Sequence, residues 1–254
     1  MVYRSIKSLK ILALDIGAGT EDILLYDVRE RSLENCIKMV LPSPSQIFAA
    51  KAREATKLYE ALFIYGDTIG GGAFAFALLD HVQEGLRVVM TERAAYTLRN
   101  DLDEVRELGI QIVSGENEPT DFDGKELRIE EVNLGMLQGF LKEFDKPLFN
   151  VDVVAVAVQD HGLPPKGMSN RRFRIQNMKE LLKDSPKPEA LAFKEKEAPS
   201  YFLRMKSAAL ASRRQLPTAK VLIMETSPAA IFGCLKDPVI EKDNPILVVN
   251  VGNA

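Results

Sequence analysis

The fold is decided by the stretch LALDIGAGTEDILLYD, residues 12–27. It begins as a short apolar run that ends in the carboxylate of Asp15 and passes through two glycines into residues 21–28, which have the composition of a strand. The stretch therefore predicts a buried strand, a tight turn and a returning strand. A further apolar run at residues 35–41 extends this prediction to an N-terminal antiparallel meander.

The turn of this hairpin carries groups that suit phosphate chemistry. Gly17 and Gly19 let the backbone turn tightly and approach an anion, and the amides of Gly17, Ala18, Gly19 and Thr20 can donate to phosphate oxygens. Asp15 is a candidate ligand for Mg²⁺, through water. A P-loop or a Rossmann turn would lead into a helix, so the strand that follows excludes both. An ordinary glycine-containing hairpin is the alternative.

The rest of the chain alternates helical and strand patterns, which predicts an α/β fold. The run at residues 151–158, apolar on both faces, is typical of a central strand. We predict a mixed sheet with the N-terminal meander, flanking helices and a helical insertion. The predicted domains are a nucleotide-binding lobe at 1–163, a helical insertion or lid at 164–217 and a return to the sheet at 218–254.

The segment LALDIGAGTEDILLYD resembles the first phosphate motif of the actin, Hsp70 and sugar-kinase superfamily. The C-terminal segment ILVVNVGN resembles the second motif, with Asn250 and Gly252 as its candidate nucleotide-binding residues. The resemblance implies a ribonuclease-H-like topology for the mixed sheet, in an actin-like lobe that binds ATP with Mg²⁺, followed by the start of a truncated second lobe. It also implies catalytic roles for Asp15, at the metal, and for Asp160, as a polarising base.

A narrower resemblance covers most of the chain. The segments that carry it are DIGAGTEDILLYD, GDTIGGGAFAFAL, the helix at Ala94-Ala95, VAVAVQDHG and VVNVGN. They are similar to an archaeal and bacterial family whose members are labelled pyruvate formate-lyase activating enzyme-like. A radical-SAM activase needs three closely spaced cysteines for its iron–sulfur cluster. The chain has two, Cys36 and Cys234, which we interpret as buried free thiols, so this activity is excluded.

Three other groups of residues are candidates for a site. Gly70, Gly71 and Gly72 precede a predicted helix and either bind an anion or permit close packing. Asp160 and His161 follow the central strand, where Asp160 is either a base that orients a hydroxyl towards a phosphate or a turn residue. The arginines near residue 172 either bind an anionic substrate or form a solvated face, and His81 is a packed or surface residue.

Composition limits the partners. The formal net charge is −3, which offers no general attraction for nucleic acid or an anionic membrane. We expect a cytoplasmic protein, since neither a secretory leader nor a membrane-spanning run is visible. One hypothesis is an ATPase or phosphotransferase acting on an unknown small molecule or protein. The other is a non-catalytic ligand-binding or scaffolding protein, for which a homo-oligomer is an open alternative.

Overall fold

The computed structural model describes residues 8–30, 32–115, 122–240 and 245–251. The strands in this part of the chain are β1 Lys10–Ile16, β2 Thr20–Asp27, β3 Ile37–Pro42, β4 Leu62–Gly66, β5 Val88–Thr91, β6 Gln111–Val113, β7 Lys125–Ile129, β8 Val153–Val158, β9 Ala192–Lys194 and β10 Lys220–Met224. The α-helices are α1 Pro44–Lys57, α2 Gly72–Gln83, α3 Glu92–Ala95, α4 Leu102–Glu107, α5 Gly135–Lys142, α6 Asn170–Leu181, α7 Leu203–Gln215 and α8 Thr226–Leu235. Short 3-10 helices lie at Leu33–Asn35, Leu148–Asn150 and Pro188–Leu191.

The main sheet is mixed, with the strand order β3-β2-β1-β8-β10-β9. Its N-terminal part is the predicted antiparallel meander, because β2 runs antiparallel to both β1 and β3. β8 lies between β1 and β10 and runs parallel to both, so the prediction of a central strand at residues 151–158 is confirmed. The α/β class and the mixed sheet predicted from the sequence are therefore both confirmed.

A second sheet forms from the segment between β3 and α5. Its order is β6-β5-β4-β7, and every pair of neighbours in it is parallel. The sequence pattern indicated these strands and helices but did not show that they leave the main sheet. Both edges of β1 are already paired, with β2 and β8. β4 therefore pairs with β5 and β7 in a separate sheet.

Each sheet has its own hydrophobic core. In the main sheet, alternate residues of β1 and β8 point to one face, where Leu14 and Val156 are buried with Met205 and Ala208 of α7. α7 falls within the segment predicted as a helical insertion or lid, and its apolar side chains belong to this core. The second core surrounds β4 and β5, with α1 and α2 packed against them.

None of the helices in the described part of the chain combines the length and the apolar character needed to cross a lipid bilayer.

Candidate functional site

The N-terminal hairpin, residues 15–20, joins β1 to β2 through a tight turn. The amide of Gly17 donates to the carbonyl oxygen of Thr20 at 2.9 Å, which closes the turn. Ala18, Gly19 and Thr20 are exposed at the carboxyl end of β1. The strand after the turn is the feature that distinguished this hairpin from a P-loop, and the structure contains it.

Asp15 lies on the face of the main sheet opposite to α7. Its cross-strand partner is Asp22, and the hydroxyl of Thr226 at the start of α8 donates to its Oδ1 atom at 3.3 Å. Burial raises the pKa of the Asp15 carboxyl and the charge of Asp22 raises it further, while the Thr226 hydrogen bond opposes them. Two carboxylates that face each other across a hairpin attract a cation.

Two serines at the start of α1 connect the hairpin to the glycine loop, residues 70–72. Ser43 is the N-cap of α1, and its hydroxyl donates to the carbonyl of Ala18 at 3.0 Å while its amide donates to the carbonyl of Gly19 at 3.1 Å. Two residues later, the hydroxyl of Ser45 donates to the carbonyl of Gly71 at 2.7 Å. The serines at the start of α1 therefore also join two predicted parts of the site.

Close packing requires glycine in this loop. A Cβ atom on Gly71 would lie 2.5 Å from the carbonyl oxygen of Thr97, and one on Gly72 would lie 2.8 Å from the Ser45 hydroxyl. Gly72 also has a positive φ of +40°, which disfavours any other residue. The packing role expected for these glycines is thus present, and the loop also lines the large cleft described below.

Arg204, the second residue of α7, fixes the strand ends around the hairpin. Its guanidinium donates to the carbonyl of Ile16 at 3.1 Å and to that of Gln159 at 2.9 Å, and it forms an ion pair with Glu131 at 2.6 Å. The other oxygen of Glu131 accepts the Gly70 amide at 3.0 Å. This Arg204–Glu131 pair joins β1, β8, α7 and the glycine loop.

Asp160 is buried just past β8, and backbone amides bind both of its carboxylate oxygens. Oδ1 accepts from Gly162 at 2.8 Å and Oδ2 accepts from Met205 at 3.0 Å, so Asp160 also caps the start of α7. Burial raises the pKa of Asp160, and the hydrogen bonds from the two amides partly oppose this shift. The neighbouring His161 is half-buried, and burial together with the charge of Arg174 lowers its pKa.

A cleft of about 1070 Å³ lies between the two sheets and brings several of the predicted residues together. Its lining includes Ala18 of the hairpin, the glycine loop, Asp160 and His161. Asp15 does not line it, because its side chain faces the other side of the main sheet. Asn250 is exposed and lies in no helix or strand, and Gly252 falls outside the described residues.

The remaining candidates separate into different environments. Arg171 and Arg172 are exposed, whereas Arg174 forms a largely buried ion pair with Glu225 at 2.8 Å. His81 is a packed residue, with 0% exposure and its Nδ1 atom 2.8 Å from the Thr56 hydroxyl.

Three residues near the hairpin were not found from the sequence: Glu21, Glu131 and Arg204. Alternation along β2 could have revealed Glu21, since it shares the buried face with Ile23. Burial and the nearby charge of Glu131 raise the pKa of Glu21 to about 7. No motif or spacing indicated Glu131 or Arg204, which lie 73 residues apart.

Comparison with known families extends this description. The model of the family described as "Putative pyruvate format-lyase activating enzyme (DUF1786)" matches residues 69–254, which is more than half of the chain. The chain belongs to this family. The match covers the glycine loop, Asp160 and Arg204, and the hairpin lies before it. No curated protein matches the chain.

The cysteines do not fit the cluster that the family's description implies. The chain has two cysteines, Cys36 directly before β3 and Cys234 in α8, and both are free. Cys36 is buried as predicted, but the prediction for Cys234 was wrong, because it lies in the exposed last turn of α8. A cluster of the activase type needs three cysteine ligands, so no step of that chemistry is derived for this chain.

Proposed function

We propose that this protein binds ATP with Mg²⁺ at the N-terminal hairpin and acts as an ATPase or phosphotransferase of the actin-like type. The observation that carries the proposal is the pairing of Asp15 with Asp22 directly below an exposed turn, residues 18–20. The turn offers amides to phosphate oxygens, and the carboxylates offer negative charge to a cation. The hydroxyl of Thr226 and the first turn of α8 lie beside them.

The residues at the hairpin suit Mg²⁺ that arrives with a nucleotide better than a free metal ion. Within the described residues, no group of three or more His, Cys, Asp or Glu side chains could form a metal cage. Mg²⁺ in nucleotide sites takes one or two carboxylates and completes its shell with phosphate oxygens and water. When bound, the ion would neutralise charge on the transferred phosphoryl group.

In this proposal Asp160 remains the candidate base on the cleft side of the main sheet, whereas Asp15 lies on the other face, so the terminal phosphate would extend over the turn at Ala18 towards Asp160. It lines the same cleft as Ala18 of the hairpin, and burial raises its pKa, which favours proton uptake. The cleft has room for an acceptor, a small molecule or the segment of a protein. We place the activity in the cytoplasm and expect no nucleic-acid or membrane partner.

Calorimetric titration with ATP tests the proposal. We expect saturable binding that requires Mg²⁺, and a large loss of affinity in Asp15→Asn, which keeps the size of the side chain but removes its charge. Asp80→Asn is the matched control, because Asp80 is exposed on α2, away from the hairpin. ATP affinity that is absent, or that Asp15→Asn leaves unchanged, would overturn the proposal.

A second candidate function is nucleotide or ligand binding without turnover. It is favoured by the two amide hydrogen bonds to Asp160, which already engage both oxygens of the candidate base. Exposed apolar side chains near the C-terminus, such as Leu247 and Val251, favour a scaffolding role with self-association. Binding of ATP without phosphate release, in a protein that light scattering shows to be an oligomer, would favour this candidate; a monomer that hydrolyses ATP would exclude it.

A further inference from the structure

The second sheet has a carboxyl edge that the proposed nucleotide site at the hairpin does not use. Its strand order reverses at β4, because β5 and β6 lie on one side of β4 and β7 lies on the other. All neighbours are parallel, so their carboxyl ends share one edge. Open parallel sheets bind ligands at this edge, where the strand order reverses.

A cavity of about 430 Å³ lies at this edge. The second sheet contributes Thr68, which follows β4, together with Arg93 and Tyr96 from the segment after β5. α7 contributes Lys206 and Ser207. The cavity adjoins the large cleft but is lined by a different set of charged groups, and its volume suits a small molecule.

Arg93 is fixed in place at the wall of this cavity. Its Nη2 atom donates to the carboxylate of Asp67 at 2.8 Å and lies 3.4 Å from the hydroxyl of Ser207. Its carbonyl oxygen accepts the hydroxyl of Thr68 at 2.7 Å. A guanidinium has five N–H donors, and among the described residues only Nη2 has a side-chain partner. The other donors are available to a ligand.

The side chains that line the cavity carry one net positive charge, because Arg93 and Lys206 outnumber Glu92. Behind them, Asp67 is 2% exposed and shares its carboxylate between Arg93 and Arg214, and Arg214 also pairs with Glu130 at 3.5 Å. Lys206 adds an exposed ammonium group that has no salt-bridge partner among the described residues. Glu92 is the one acidic side chain among the described residues that line the cavity.

We propose that this cavity is a binding site for a small anion, a carboxylate or a phosphate. The Nε and Nη1 donors of Arg93 hydrogen-bond to oxygens of the anion, since a guanidinium donates equally to carboxylate and phosphate groups. Lys206 supplies a second positive charge from α7. The anion therefore contacts both the second sheet and a helix of the main core.

Titration calorimetry with inorganic phosphate and with succinate tests this site, with chloride at matched ionic strength as the blank. We expect saturable binding of at least one of the two probes, and the one that binds identifies the phosphate or the carboxylate as the ligand group. Lys206→Met should weaken that binding about tenfold, the loss expected for one charge-assisted contact. Lys179→Met, at an exposed position on α6, should leave it unchanged.

Two further variants separate the site from the nucleotide site and from effects on folding. Asp15→Asn should not change anion binding, so failure of the ATP proposal leaves this one standing. Arg93→Lys keeps the charge but loses the Nε and Nη1 donors, and should weaken anion binding in a protein whose unfolding curve is normal. Absence of saturable binding for both probes, or equal affinity in Lys206→Met and the parent protein, would overturn the proposal.

Discussion

Arg204 and Glu131 form an ion pair at 2.6 Å that connects the two sheets of this protein. Glu131 has 0% side-chain exposure and Arg204 has 13%. Through this pair the end of β1, which leads into the N-terminal hairpin, is joined to the glycine loop of the second sheet. The position of the hairpin therefore depends on a buried charge pair as well as on its own turn.

Removal of one partner of the Arg204–Glu131 pair should destabilise the folded protein. Arg204→Met leaves Glu131 buried without its counter-charge, and we expect a loss of about 3 kcal/mol in the free energy of unfolding. Urea denaturation measures this change. Arg213→Met is the matched control on the same helix, because its ion pair with Glu195 is partly exposed and should contribute about 1 kcal/mol or less. Similar losses in the two variants would contradict the dominant role of the buried pair.

Glu21 should make stability depend on pH. Its pKa of about 7 in the folded protein lies above the ordinary value of 4.5, so the folded state binds the proton more tightly than the unfolded state. The contribution of Glu21 to the free energy of unfolding is fully present below pH 4.5 and is lost as the pH rises through 7. The loss amounts to about 3 kcal/mol. Urea denaturation at pH 5 and pH 8 should show this decrease.

Glu21→Gln isolates this effect from that of the other buried carboxyl groups. The variant should lose less stability between pH 5 and pH 8 than the parent protein, because its amide does not titrate. Glu126→Gln, at an exposed position on β7, should retain the parent's pH dependence. If Glu21→Gln and the parent protein have the same pH dependence, the burial of a protonated Glu21 is not the cause.

Two glycines should respond differently to alanine. In Gly71→Ala the new methyl group meets the Thr97 carbonyl oxygen at 2.5 Å, and overpacking of this kind costs about 1–3 kcal/mol. In Gly19→Ala the methyl group has no atom within 4 Å, so stability should change little. Thermal unfolding of the two variants measures the difference, and an equally stable Gly71→Ala would show that the loop can move away from Thr97.

Ser43 should matter for nucleotide binding beyond its role as a helix cap. Ser43→Ala removes the N-cap of α1 and also the hydrogen bond to Ala18, whereas Ser169→Ala removes only the N-cap of α6. Each should cost about 1 kcal/mol of stability. We expect weaker ATP binding in Ser43→Ala alone, measured by calorimetry. Weaker binding in both variants would indicate a general loss of stability.

The predictable part of the fold depended on local patterns. The hairpin was visible because Asp15, two glycines and a second strand pattern follow one another, and β8 was visible because its side chains are apolar on both faces. The separate second sheet was not visible, since strand patterns do not say which strands pair. A parallel strand finds its neighbour only through distant chain segments, as β1 does with β8.

The site was predicted in pieces for the same reason. Ala18, the glycine loop and Asp160 each had a local motif, and the structure places them along one cleft. Arg204 and Glu131 have no motif, because their partners are main-chain groups of Ile16, Gln159 and Gly70, and any sequence provides such groups. The orientation of Asp15 away from the cleft depends on the twist and register of the finished sheet.

The most direct test of the nucleotide proposal is a crystal structure of the protein with Mg²⁺ and a non-hydrolysable ATP analogue. The account predicts phosphate oxygens at the amides of residues 18–20 and the metal ion bridged to the Asp15 carboxylate through water. A nucleotide bound elsewhere, or a metal ion that has no contact with Asp15 directly or through water, would contradict it.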